Sequence, residues 1–223
     1  MHSLPDIYIT MKKKIIGFLL IILIICFSNC GNYSATRKNQ STSDTLIDSN
    51  LKAFVNRSTY KTLTKEILDT IPNNKLNQTV FDNIVLKMNK DLSNDYEVIM
   101  KLSKGRQAIY SIWVIDEEVN NGGFNQLYFN GYEKLAKLAE TGFLIIGAKK
   151  FADLTKKANQ LFQRIKPDLD KYKDGTLESF SESYKNNPLD KYDDEYYKLN
   201  ESDSLNYMIV KYIRNNPIEF IDK

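Results

Sequence analysis

The stretch "VNNGGFNQLYFN", Val119 to Asn130, sets the flexible pair Gly122-Gly123 directly against Phe124, Tyr128 and Phe129. Only nine glycines occur in 223 residues, so two in succession call for a local reason. Upstream, Ile109, Ile112, Trp113 and Val119 predict an apolar helix that runs into the glycines. Asn and Gly adopt left-handed backbone angles at low cost. "NNGG" is therefore expected to stop that helix and turn the chain sharply. Phe124, Leu127 and Tyr128 re-enter the core at helical spacing. On this reading the glycines turn the chain and the rings seal the turn. Gln126 and Asn130 are expected to offer their amides to backbone groups freed by the break. Glu117 or Glu118 is expected to accept from the turn amides, a structural role rather than that of a catalytic acid or base.

Outward from the glycines the pattern stays helical, with almost no strand alternation. Leu76, Val80, Ile84 and Val85 fit one helix face. Tyr96, Ile99 and Met100 lead toward the Trp113 helix, with a break near Gly105. Leu135, Leu138 and Ala139 belong to a further helix with Gly147 as its C-cap. Phe151, Leu154, Ala158, Leu161 and Phe162 mark the next, with Pro167 after it. Leu205, Met208, Ile209, Tyr212 and Ile213 follow the amphipathic spacing most clearly. Asp203 or Ser204 can cap that last helix, and Asn215, Asn216 and Pro217 end it. The fold class read from this is all-α, a single globular multi-helix domain over residues 51–223.

The N-terminus reads as an address. Met11 is the expected start, followed by Lys12, Lys13, Lys14 and the apolar run Ile15 to Phe27, the form of a secretory signal. The run is short of the ~20 residues that span a bilayer comfortably. "SNCGN" after it resembles a bacterial lipobox, which makes Cys30 the lipidated first residue of the mature chain. Phe27 and Asn29 depart from the usual residues there, and Cys26, behind Ile24 and Ile25, fits less well. Residues 1–29 are thus read as a signal peptide and 30–50, rich in Ser, Thr and Asn, as a flexible tether. The expected location is the bacterial cell envelope, with the membrane reached through the lipid.

Composition excludes several chemistries. The only histidine is His2 and the only cysteines are Cys26 and Cys30. A mature chain beginning at Cys30 has no Ser-His-Asp or Cys-His arrangement and no His/Cys zinc site. No cofactor, metal or catalytic set is expected. Loss of Lys12, Lys13, Lys14 and Asp6 lowers the formal charge from +3 to +1. Asp168 to Asp203 is the exception, with eleven acidic residues against five lysines. Within it, Asp193, Asp194 and Glu195 are read as a solvated acidic face, and Tyr184, Tyr192, Tyr196 and Tyr197 as half-buried packing. Lys149, Lys150, Lys156 and Lys157 are read as the wet face of their helix, with contact to an anionic lipid headgroup as the alternative.

"EEVNNGGFNQLYFN" also resembles the signature of the DNA-mimic protein family, in its C-terminal domain type. Trp113, Glu118, Asn121, Gly122, Gly123, Phe124, Gln126, Phe129 and Asn130 carry the match. It continues through "IIGAKKFADLTKKA", "LDKYDDEYYKL" and "YIRNNPIEF", from about Tyr96 to Phe220. The resemblance implies an all-α fold. It also implies, for one member, imitation of duplex DNA by surface carboxylates that bind a transcription regulator. Near-neutral charge and the export signal argue against carrying that role over. The leading expectation is an envelope lipoprotein with a non-enzymatic protein-binding or structural domain, an unknown protein partner and no direct nucleic acid binding. A DNA-mimic regulator is the second reading, and a carboxylate-dependent enzyme the third.

Overall fold

A computed structural model describes residues 55–88, 95–185 and 187–222. The readings on the signal peptide, Cys30 and the tether lie outside these residues. The chain divides into two compact units. The larger comprises Lys61–Met88 and Asn94–Lys223 and holds every helix considered below. Its elements are α1 (Lys65–Thr70), α2 (Asn73–Val85), α3 (Asp95–Met100), α4 (Lys104–Phe129), α5 (Glu133–Ile145), α6 (Lys149–Leu169), α7 (Leu177–Glu182), α8 (Asp190–Ser202) and α9 (Leu205–Asn215). No strand occurs among the described residues, and the fold is all-α as expected.

The core forms around α4, which packs chiefly on α5 and also meets α2 and α8. Ile109, Ile112, Ile115, Val119, Phe124 and Leu127 of α4 are fully buried. Rings join the layers: Tyr128 of α4 stacks on Phe162 of α6 at 4.0 Å, and Phe151 of α6 meets Tyr196 of α8 edge-on at 5.4 Å. Trp113 stacks on Phe81 of α2 at 3.7 Å. Such ring pairs add about 0.5–1.5 kcal/mol each beyond the area they bury.

The punctuation mostly follows the sequence. Gly147 (φ 84°) closes α5, with its own N–H on Leu144 O and that of Ala148 on Phe143 O, the paired bonds of a Schellman end. The Ser204 hydroxyl, rather than Asp203, caps α9 by accepting from the Tyr207 amide. Asn216 ends α9, and Pro217 opens a 3₁₀ turn. One expectation is borne out and one corrected. The break near Gly105 is present: α3 ends at Met100 and α4 starts at Lys104, capped by Ser103, with Gly105 in its first turn. A Cβ on Gly105 would come 2.7 Å from Glu219 Cβ, so glycine here admits the C-terminal segment. Pro167 does not follow α6 but sits in its last turn, two residues before the helix ends at Leu169, and gives up its own bond to the preceding turn.

The C-terminus is fastened to the start of the unit. Asp222 N–H donates to Leu63 O at 2.8 Å, and the Asp222 carboxylate accepts from the Leu63 amide at 2.9 Å. That carboxylate also pairs with Arg106 of α4 at 2.7 Å and Lys87 at 3.0 Å. Burial works against its charge, but the Leu63 amide, Lys87, Arg106 and Asn83 together hold its carboxyl below the usual range.

Candidate functional site

As expected, the glycine pair stops one helix and redirects the chain into the next: Gly122 (φ −160°, ψ 25°) and Gly123 (φ 72°, ψ −178°) leave helical angles, and α4 is two helices that meet across this kink. Gly123 is in the left-handed half of backbone space, which strains any side chain. A Cβ there would also fall 2.1 Å from Asp193 Oδ2. Gly122 is extended, yet a Cβ would meet Gln126 Oε1 at 2.3 Å and Tyr184 Oη at 2.9 Å. The rings seal the bend as expected: Phe124, Leu127 and Tyr128 are buried, and Phe129 meets Phe180 of α7 edge-on at 4.7 Å.

What satisfies the bend differs from the expectation. Glu118 does not accept from turn amides. Its Oε2 takes Gln126 Nε2 at 3.0 Å and Asn130 Nδ2 at 2.8 Å. Gln126 and Asn130 therefore spend their amides on Glu118 rather than on freed backbone. Glu118 is 3% exposed, and burial raises its carboxyl, with the two amides pulling the other way. Glu118, Gln126 and Asn130 thus form a side-chain clasp across the bend. Asn121, also expected here, has a buried Nδ2 without a partner.

The amide freed by the bend is capped from 69 residues away: Phe124 N–H donates to Asp193 Oδ1 of α8 at 2.8 Å. The carboxylate sits at the N-terminus of the second half of α4, where exposed N–H groups and the helix dipole favour negative charge. Asp193 is therefore not part of a purely solvated face, and only Asp194 and Glu195 keep that description. Burial, and then Asp190 and Asp194, push its carboxyl up to about 6, against the Phe124 hydrogen bond. The tyrosines complete the brace. Tyr184 donates to Gly122 O at 2.9 Å, Tyr197 to Val119 O at 2.8 Å, and Tyr196 to Asp116 Oδ1 at 3.0 Å. They pack as expected, but their hydroxyls specifically hold the bend.

Asp193 and Asp116 escaped sequence reasoning because their partners are remote in sequence. A weak signal existed: Tyr192, Asp193, Tyr196, Tyr197 and Asn200 recur at helical spacing, so one face of α8 is amphipathic rather than wet. The other edge of α8 is acidic. At 100° per residue, Asp190, Asp194 and Glu201 fall within about 40° of one another, beside Tyr197, which is 37% exposed. Four acids of the segment are paired with lysines, Asp168 with Lys171, Asp170 with Lys173, Glu182 with Lys185 and Asp203 with Lys150. Among the described residues, Asp190, Asp194 and Glu201 take no ion-pair partner. No group of three or more His, Cys, Asp or Glu side chains there could hold a metal ion, and no helix there is long and apolar enough to cross a membrane.

Fold and site define an all-α domain whose motif residues interlock through side-chain hydrogen bonds and ring contacts. A family model for DMP19-like protein, a family named for DNA mimicry, matches residues 100–216. The match covers just over half of the chain, and the chain belongs to that family. No curated protein matches it.

Proposed function

We propose that this chain is a DNA-mimic-type, non-enzymatic binding protein that presents the acidic edge of α8 to a basic, DNA-binding partner. Membership of the DMP19-like family carries the reading. Asp190, Asp194 and Glu201, lying beside the exposed ring of Tyr197, supply the surface. The filled bend supports binding over catalysis, because the Glu118 oxygen that a catalytic pocket would present is engaged by Gln126 and Asn130.

Magnitudes set the strength. Asp190 to Glu201 spans about 16 Å of helix and carries three of these carboxylates. Duplex DNA carries one charge per ~1.7 Å of axis. The imitation is sparse, so competition with DNA belongs at low ionic strength, before screening over about 8 Å at physiological salt removes it. The full chain should displace duplex DNA from a basic DNA-binding protein in low salt. The triple variant Asp190→Asn, Asp194→Asn, Glu201→Gln should not. Equal displacement by both proteins, or none by either, sinks the reading.

A second reading is favoured by "SNCGN" and the basic, apolar segment before it. It makes the chain an envelope lipoprotein whose domain binds a protein partner there, tethered through Cys30. Labelling by a fatty-acid probe that disappears in Cys30→Ser supports it, and unchanged labelling removes it.

A further inference from the structure

The outer face of α5 and α6 carries the opposite charge to the edge of α8. From Glu133 to Lys166 the chain has eight basic residues against three acids. Two of those acids are engaged in place. Glu133 pairs with Lys166, and Glu140 takes Lys137 at 2.9 Å and the Asn159 amide at 2.7 Å. Lys150 is held by Asp203. Lys149, Lys156, Lys157 and Arg164 are all exposed, and among the described residues none of the four takes an ion-pair partner. At 100° per residue they fall within about 100° of one another, along about 22 Å of α6. The third acid, Asp153, lies among them, so four cations less one acid leave this face at +3.

A large apolar side chain stands beside the cations. Glu133, Lys137, Glu140 and Leu144 form one row of α5 at spacings of four, three and four residues. The bonds from Glu133 to Lys166 and from Asn159 to Glu140 show that this row borders α6. Leu144, the last of the row, is 57% exposed, five residues before Lys149 opens α6.

We propose that this face docks on an anionic lipid bilayer. Cations strung along one helix face do not converge on a point, so they make no pocket for a small anion. An anionic leaflet presents charge over its whole plane and asks for no fixed distances among the cations. Leu144 favours the bilayer over nucleic acid. A leaflet has an apolar layer just beneath its phosphates for such a side chain, whereas nucleic acid is held chiefly through its phosphates. The lysine stems can lie along that layer while their ammoniums stay with the headgroups. Each cation near such a leaflet gives about a fivefold gain in affinity, so a net of three gives on the order of a hundredfold. The contact is reversible and weakens with salt. It rests neither on the acidic edge of α8 nor on a lipid at Cys30.

The test uses the isotope-labelled full chain in phosphatidylcholine bicelles doped with a lipid whose headgroup is spin-labelled. The amides of Leu144 and of Lys149 to Arg164 should broaden when phosphatidylglycerol is added, and salt should reverse this. The quadruple variant Lys149→Gln, Lys156→Gln, Lys157→Gln, Arg164→Gln should lower the ratio of docked to undocked protein by on the order of a hundredfold. Leu144→Gln should weaken docking without changing its salt dependence. All five positions are exposed, and an unchanged melting temperature confirms that each variant is folded. The N-terminal segment is the same in the three proteins, so its own hold on lipid drops out of the comparison. Broadening that is equal in the two lipids, that falls on other helices, or that survives the quadruple variant overturns the proposal. Duplex DNA that shifts these amides when anionic lipid does not also overturns it, and makes the face a nucleic-acid site.

Discussion

Gly122 and Gly123 are neighbours with different tasks. Gly123 needs its positive φ and the space taken by Asp193, so Gly123→Ala should cost about 1–3 kcal/mol. Gly122 is extended, and an added methyl meets the movable end of Gln126 and Tyr184 Oη. Gly122→Ala should therefore cost less, through strain on the clasp. Denaturant melts of the two variants check the order, and a larger loss at Gly122 would contradict it. Asp193 gives a pH signature. Its folded carboxyl stands at about 6, above its ordinary 3.8, so folding favours the protonated form. The associated stability is fully present below the ordinary value and is lost as pH rises through about 6. Asp193→Asn keeps an oxygen for the Phe124 amide and removes the charge. It should flatten that decline in melting temperature, leaving the smaller contribution of Glu118, whose carboxyl is raised in the same direction. An unchanged pH profile would show that Asp193 is not the group responsible.

Among the elements, the C-terminal fastening is the one where a single side chain decides most. Asp222 offsets Arg106, whose side chain is 8% exposed, and closes the chain onto Leu63. Removing one partner of such a pair leaves an uncompensated charge and typically costs about 3–5 kcal/mol. Asp222→Ala should approach that loss, with Asp222→Asn between it and the parent because Asn keeps an acceptor for Leu63. Calorimetry would check it, and a melting temperature unmoved by Asp222→Ala would refute it. Element identity was largely legible, because Leu205, Met208, Ile209, Tyr212 and Ile213 state one face of α9 by spacing alone. The motif residues were legible too, since Asn-Gly-Gly-Phe is locally odd in an apolar helix. Their partners were not. Helical periodicity says which face is buried, but carries no information on which remote residue meets it. Asp193 thus read as one acid in a charged run, and Glu118 as a cap for amides that another helix holds.

At the scale of the molecule, near-zero formal charge concealed an uneven surface. Local ion pairs such as Lys171 with Asp168 and Lys185 with Glu182 cancel four of the segment's eleven acids in place. Asp190, Asp194 and Glu201 keep their charge together on one edge of α8, which a linear count of acids and lysines averages away. Electrostatic steering follows the local field and falls with ionic strength. The association rate of the proposed basic partner should therefore drop with added salt more steeply than its dissociation rate rises. Stopped-flow measurements at several salt concentrations test this. Rates indifferent to salt would assign the contact to Tyr197 and its apolar surroundings.

The bond between Asp193 and the Phe124 amide has a further consequence for how this protein can be observed. One proton in α4 is protected by a helix 69 residues along the chain, so its exchange with solvent deuterium reports whether α8 is seated. Local opening of that kind can occur without global unfolding. Anything that lands on either edge of α8 and steadies it should slow exchange at Phe124, and anything that pries α8 loose should quicken it. A single backbone position thus serves as a remote gauge of whether α8 is in place.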